Sequence, residues 1–197
     1  MTMGDVMGLM GRTFRDPKEG AAEVLSLGIP RESHFILVML VVILFTIASS
    51  LPALLIGQTG SETASEGPSV LMTLVMQFGQ MVLLIALVQG VGRMFGGTAV
   101  IEETTVLMCW LQFVMIFLLL AGFLIMIVSP QLGVFAILLG AGFQMWLLTH
   151  FVAVLHGFRS LWPVFFGILG AGFVIAFLLS ILLAALGFVP PMPTGAA

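Results

Sequence analysis

"RMFGGTAVIEETTVLMCW", Arg93 to Trp110, sets one arginine, a Gly-Gly pair and two adjacent glutamates between two long apolar runs. Before it lies "MTLVMQFGQMVLLIALVQGVG" and after it "LQFVMIFLLLAGFLIMIV". Each run can supply the roughly 20 apolar residues that a helix needs to cross the hydrocarbon layer. The stretch therefore reads as a reversal between two membrane spans. Arg93 suits a helix C-terminus as an anchoring cation, and Gly96 and Gly97 let the chain turn tightly. Glu102 and Glu103 fall where exposed N–H groups of the next helix favour negative charge. A glutamate pair acting as a proton relay or cation site is the functional alternative, but both residues sit at the interface rather than at mid-depth.

The rest of the chain agrees. Hydrophobic residues make up 60% of the sequence and charged residues 8%, with a mean hydropathy of +1.25. So few polar groups cannot cover a core in water, so the bilayer is the expected solvent. The net charge of -3, with six thinly spread basic residues, offers no electrostatic footprint for nucleic acid. Cys109 is the only cysteine and lies in an apolar run, where it reads as a small packing residue. No removable signal peptide is expected, so the first span itself directs insertion.

The expected fold class is all-α: a polytopic membrane protein with five transmembrane helices and a short N-terminal amphipathic helix. Spans are expected at about Phe35 to Gly57, Ser69 to Val91, Thr104 to Val128, Gln131 to Leu155 and Trp162 to Phe188. Pro68, Pro130 and Pro163 each suit a first helical turn. In this arrangement Arg12, Arg15, Lys18, Arg31, Arg93 and Arg159 share one side, and the other side has no Lys or Arg. The positive-inside rule then puts the N-terminus in the cytoplasm and the C-terminus outside. Three parts follow: a cytoplasmic amphipathic segment over residues 1–32, a membrane domain over 33–189 and a short outer tail over 190–197.

"DPKEGAAEVLSLGIP" carries its own helix signals. Asp16 is the expected N-cap, Pro17 the first helical residue, Glu19 the partner in a capping box and Gly28 the stop. Val6, Met7, Met10 and Phe14 recur at helical spacing and suggest a second segment upstream. Within the spans, Gln77, Gln80, Gln112 and Gln144 are candidate intramembrane packing residues, with Gln80 and Gln144 placed to pair. His150 and His156 are too far apart in helical phase to share a metal, and His156 with Arg159 marks the end of the fourth span. "LLAGF", "LLGAGF" and "ILGAGF" offer small residues for close helix crossings.

The segments "RDPKEGAAEVLSL", "GRMFGGTAVIEETTVLMCW" and "MWLLTHFVAVLHGFRSLWPVFFGIL" together resemble the YIP family, the Ypt-interacting proteins, and in particular their bacterial branch. The resemblance implies a five-span helical fold and, for eukaryotic members, contact with Rab-type GTPases in vesicle traffic and membrane shaping. The short N-terminal region and the absence of tyrosine depart from that pattern and speak against GTPase binding. No catalytic set, cofactor site or metal cluster is read from the sequence. The expectation is a non-enzymatic adaptor or organiser in a bacterial inner membrane, whose partners are membrane lipids and other membrane proteins or further copies of itself. Its candidate contact residues are Arg12, Arg15, Lys18, Arg93, Glu102, Glu103, His156 and Arg159. A transporter, channel or lipid-moving protein with a glutamine-lined groove is the alternative.

Overall fold

The computed structural model describes residues 2–56 and 69–185. The chain is all-helical: α1 (Met3–Arg15), α2 (Pro17–Ser26), a single 3-10 turn (Arg31–Ser33), α3 (His34–Ile56), α4 (Val70–Met94), α5 (Ile101–Val128), α6 (Pro130–His156) and α7 (Leu161–Ala185). The last five are long and apolar enough to cross a membrane, in register with the expected spans. Pro130 opens α6 as its first residue, and Pro163 falls in the first turn of α7. The expected roles of Gly57, Pro68 and Phe188, and the tail 190–197, lie outside the described residues.

α1 begins with a complete capping box. The Thr2 hydroxyl accepts from the Asp5 N–H, and the Asp5 carboxylate accepts from the Thr2 N–H at 2.6 Å. These bonds hold the Asp5 carboxyl below its ordinary pKa, the Thr2 backbone N–H being the largest cause. The face that α1 buries is Leu9, Met10 and Thr13, with Phe14 partly buried against the core. Met7 stays 50% exposed. At the start of α2, Asp16 caps as expected, accepting from the N–H groups of Lys18 and Glu19. The reciprocal half of that capping box is replaced, because the Asp16 N–H donates to the Arg12 carbonyl at 2.7 Å and so closes α1.

The two short helices form a hairpin whose crossing point is Gly20. A Cβ there would stand 2.6 Å from the Thr13 hydroxyl and 2.8 Å from the Thr13 Cα. Leu9, Met10, Ala21 and Val24 belong to the same buried cluster as α3, α4, α5 and α6. Fully burying Leu9 and Val24 contributes roughly 1.5–3 kcal/mol each relative to exposure in water. The exposed Arg12–Glu23 ion pair across the hairpin, Nε to Oε2 at 2.6 Å, is screened by solvent and contributes little by comparison. Apolar burial docks the hairpin, and its polar contacts set the register.

α5 is the most buried of the long helices and α7 the least. α5 packs on α6, α3 and α4, while α7 packs chiefly on α6. Burial is lopsided along the bundle: buried positions crowd the first half of α5, from Thr104 to Ile116, and the last third of α6, from Leu147 to His156. At a rise of 1.5 Å per residue, the 28 residues of α5 span about 42 Å, some 10 Å more than a hydrocarbon layer of about 30 Å. The α1–α2 hairpin covers the end at which α5 starts and α6 finishes. The glycines of "LLGAGF" and "ILGAGF" do not form close crossings, since a Cβ at Gly140, Gly142, Gly170 or Gly172 would meet nothing within 4 Å. Close approach occurs instead at Gly20, Gly92, Gly97 and Gly133.

Candidate functional site

All six basic residues lie at one end of the bundle, the basic face, where α4 and α6 finish and α5 and α7 begin. Two helices stop there by the same device. At the end of α4, Gly96 takes φ +83, while the N–H groups of Gly97 and Gly96 donate to the carbonyls of Gly92 and Arg93 at 2.9 and 3.0 Å. At the end of α6, Gly157 takes φ +70, and the N–H groups of Phe158 and Gly157 donate to Ala153 and Val154 at 2.9 and 3.3 Å. Both are Schellman motifs, which require a residue tolerant of the left-handed region.

Between these two helix ends sits His156. It is 3% exposed, and its Nε2 lies 3.1 Å from the Val88 carbonyl, so Nε2 carries the donating hydrogen. Phe158 stacks on the ring with centroids 5.5 Å apart. The ring fills a slot that only glycine leaves open: a Cβ at Gly92 would stand 2.0 Å from Nε2, and one at Gly97 2.2 Å from Nδ1. His156 does mark the end of the fourth span, being the last residue of α6, and its burial gives it a packing role that the sequence reading did not assign. Beside the slot, Gln89 donates from Nε2 to the Ala99 carbonyl at 2.8 Å and accepts from the Thr104 hydroxyl at 2.7 Å. It thereby ties α4 to the start of α5 across the turn.

The second junction holds the N-terminal hairpin. Trp110 on α5 donates from Nε1 to the Thr13 hydroxyl at 3.1 Å, and that hydroxyl donates to the Leu9 carbonyl at 2.9 Å. Phe14 stacks on Phe143 of α6, centroids 5.2 Å apart, and Phe143 continues to Trp146 at 5.4 Å and on to His150 at 4.8 Å. A third tie is the ion pair between Arg31 and Glu102 at 2.7 Å. The second carboxylate oxygen of Glu102 is buried without a hydrogen-bond partner.

The candidate contact residues thus share a face without forming a cluster. Arg12 is paired with Glu23, which raises the guanidinium pKa further through that hydrogen bond. Arg15, Lys18, Arg93, Glu103 and Arg159 are exposed, and Glu102 is half-buried. Gln112 is buried, Gln77 and Gln144 are half-buried and Gln80 is exposed. Among the described residues no hydrogen bond joins any two of these glutamines, so the expected Gln80–Gln144 pair is not formed.

Residues 11–183 match the Yip1 domain family. The chain belongs to the Yip1 domain family. No curated protein and no solved structure is similar enough to match it. The match runs from α1 through α7, so this Yip1 domain includes most of the N-terminal hairpin together with the long helices. Sequence reasoning passes over three of its organising contacts: Gln89 with Thr104, Thr13 with Trp110, and Arg31 with Glu102. Gln89 had a local signal, since it lies three residues before Gly92 on the face that meets the turn. Thr13 and Trp110 are 97 residues apart, and no local pattern links them.

Proposed function

We propose that this Yip1 domain protein is a non-enzymatic adaptor of a bacterial inner membrane, with its basic face and N-terminal hairpin in the cytoplasm. The observation that carries the reading is the docking of α1 and α2 into the common core through Leu9, Ala21, Val24 and the Thr13–Trp110 bond. A docked hairpin holds Arg15, Lys18 and the Arg12–Glu23 pair at fixed positions on α1 and α2, which suits repeated recognition of one partner surface. The family is generally non-enzymatic, and the bias of Lys and Arg to one end supports the orientation. The glutamine-lined transport path has less support, because none of the four candidate glutamines lines the crevice between α4, α6 and α7 or the smaller one between Phe35 of α3 and Phe78 of α4.

The test is the double substitution Arg15→Glu/Lys18→Glu in the full chain, both positions being exposed and unpaired among the described residues. Helicity and elution should be unchanged, while a partner crosslinked to the wild type in cells is lost. An unchanged set of crosslinked partners, with an intact fold, would sink the adaptor reading.

A further inference from the structure

α7 leans chiefly on α6, which leaves a crevice of about 390 Å³ between α4, α6 and α7. One wall is the α4 face with Leu84, Val88, Val91 and Phe95, and the opposite wall is the α7 face from Pro163 to Ile175. Leu148 and Val152 of α6 form its floor, and Arg159 and Ser160 lie at its end on the basic face. Along α7, Pro163 to Ile175 covers about 18 Å at the helical rise. Leu84 to Phe95, the last turns of α4 and its C-cap, covers a similar length. One leaflet supplies about 15 Å of the hydrocarbon layer, so the crevice runs from the interface to about mid-depth and no further.

We propose that this crevice binds one anionic phospholipid, an acyl chain lying between α4 and α7 and the phosphate on Arg159 and the Ser160 hydroxyl. Three observations carry this. The lining is almost wholly apolar apart from its interfacial end, which matches a chain below a headgroup. Arg159 makes no ion pair among the described residues, so the one cation in the lining is open to an anion. The volume of about 390 Å³ also falls within the roughly 300–1,000 Å³ of small-molecule sites. Gly167 and Gly172 face this space with nothing within 4 Å of a Cβ, which leaves room for a chain. The proposal is independent of the adaptor reading, since it rests on α4, α6 and α7 and not on the N-terminal hairpin.

The experiment uses the delipidated full chain, titrated with 1-palmitoyl-2-oleoyl-phosphatidylglycerol or the matching phosphatidylcholine and read by native mass spectrometry. One phosphatidylglycerol should be retained per chain, about fivefold more tightly than phosphatidylcholine, the preference expected of a single cation meeting an anionic headgroup. Arg159→Gln, in an exposed turn, should erase that preference while leaving helicity intact. Gly172→Leu, which fills open space, should weaken retention of both lipids at least fivefold. Equal retention of the two lipids by the wild type would overturn the proposal. So would unchanged retention by Gly172→Leu, or dimers crosslinked through cysteines placed at Gly172, which would show a second copy covering the crevice. Should Gly172→Leu fail to fold, the loss or survival of the preference in Arg159→Gln decides alone.

Discussion

A methyl group at Gly92 or Gly97 would land on the imidazole of His156, and the imidazole has nowhere to go. Its Nε2 is held by the Val88 carbonyl and one ring face by Phe158. Helix propensity favours Gly92→Ala by about 1 kcal/mol, whereas overpacking a filled site costs about 1–3 kcal/mol; with contacts this short, overpacking wins. Gly92→Ala should therefore lower the thermal unfolding midpoint in detergent. Gly92→Ala combined with His156→Ala should cost less than the two single changes added together. A stabilised Gly92→Ala protein would contradict the slot. At this scale the sequence was only partly legible. Gly96 was readable as a turn glycine and Cys109 as a packing residue, and Cys109 is indeed buried. His156, by contrast, looked like an interfacial residue because its partners come from α4 and the α4–α5 turn, which no local spacing reveals. The Gln80–Gln144 pair failed for a related reason: similar depth in the bilayer does not fix rotation about the helix axis.

Helices themselves were the most legible objects, because length and apolarity suffice to define a span and caps suffice to end it. Ser129 illustrates the economy of such signals. It ends α5 and caps α6 in a one-residue turn, its hydroxyl accepting from the Leu132 N–H. The apolar repeat of Val6, Met7, Met10 and Phe14 does lie on a helix, α1, but the residues that the hairpin buries are Leu9, Met10 and Thr13. The Thr2–Asp5 capping box of α1 leads to a pH prediction. The Asp5 carboxyl is held below its ordinary value, so its contribution to the first turn is fully present above the unfolded pKa of about 3.9. That contribution is lost as pH falls through the lower folded value. Amide protection at Val6 and Met7 should therefore decline as the solution is acidified below about pH 4, and Asp5→Asn should flatten the dependence. Protection that is independent of pH in the wild type would show that the cap does not hold α1.

On the scale of the whole molecule, the bundle is two unlike halves. The basic end has a packed core in which the N-terminal hairpin, the His156 slot and the Gln89–Thr104 bridge meet, while the far halves of α4, α6 and α7 expose Leu, Ile, Val and Phe side chains along their length. That exposed surface suits lipid, and the dense end suits a rigid platform. The apolar runs predicted five long helices able to cross a membrane, but not which helix lies at the centre or which lies apart. Those depend on side-chain packing between segments far apart in the chain, and nearly uniform apolar runs do not record it. The platform account stands on the hairpin being part of the core rather than a surface helix resting nearby. Hydrogen exchange of the full chain in lipid bilayers tests this most directly, by comparing the α2 amides of Ala22 to Leu25 with the buried amides of α5 from Met108 to Val114. The account predicts protection of α2 within about tenfold of α5, falling sharply in Thr13→Val/Trp110→Phe, which removes the hydrogen bond between the hairpin and α5. Exchange of α2 at the rate of an undocked surface helix in the wild type would contradict it.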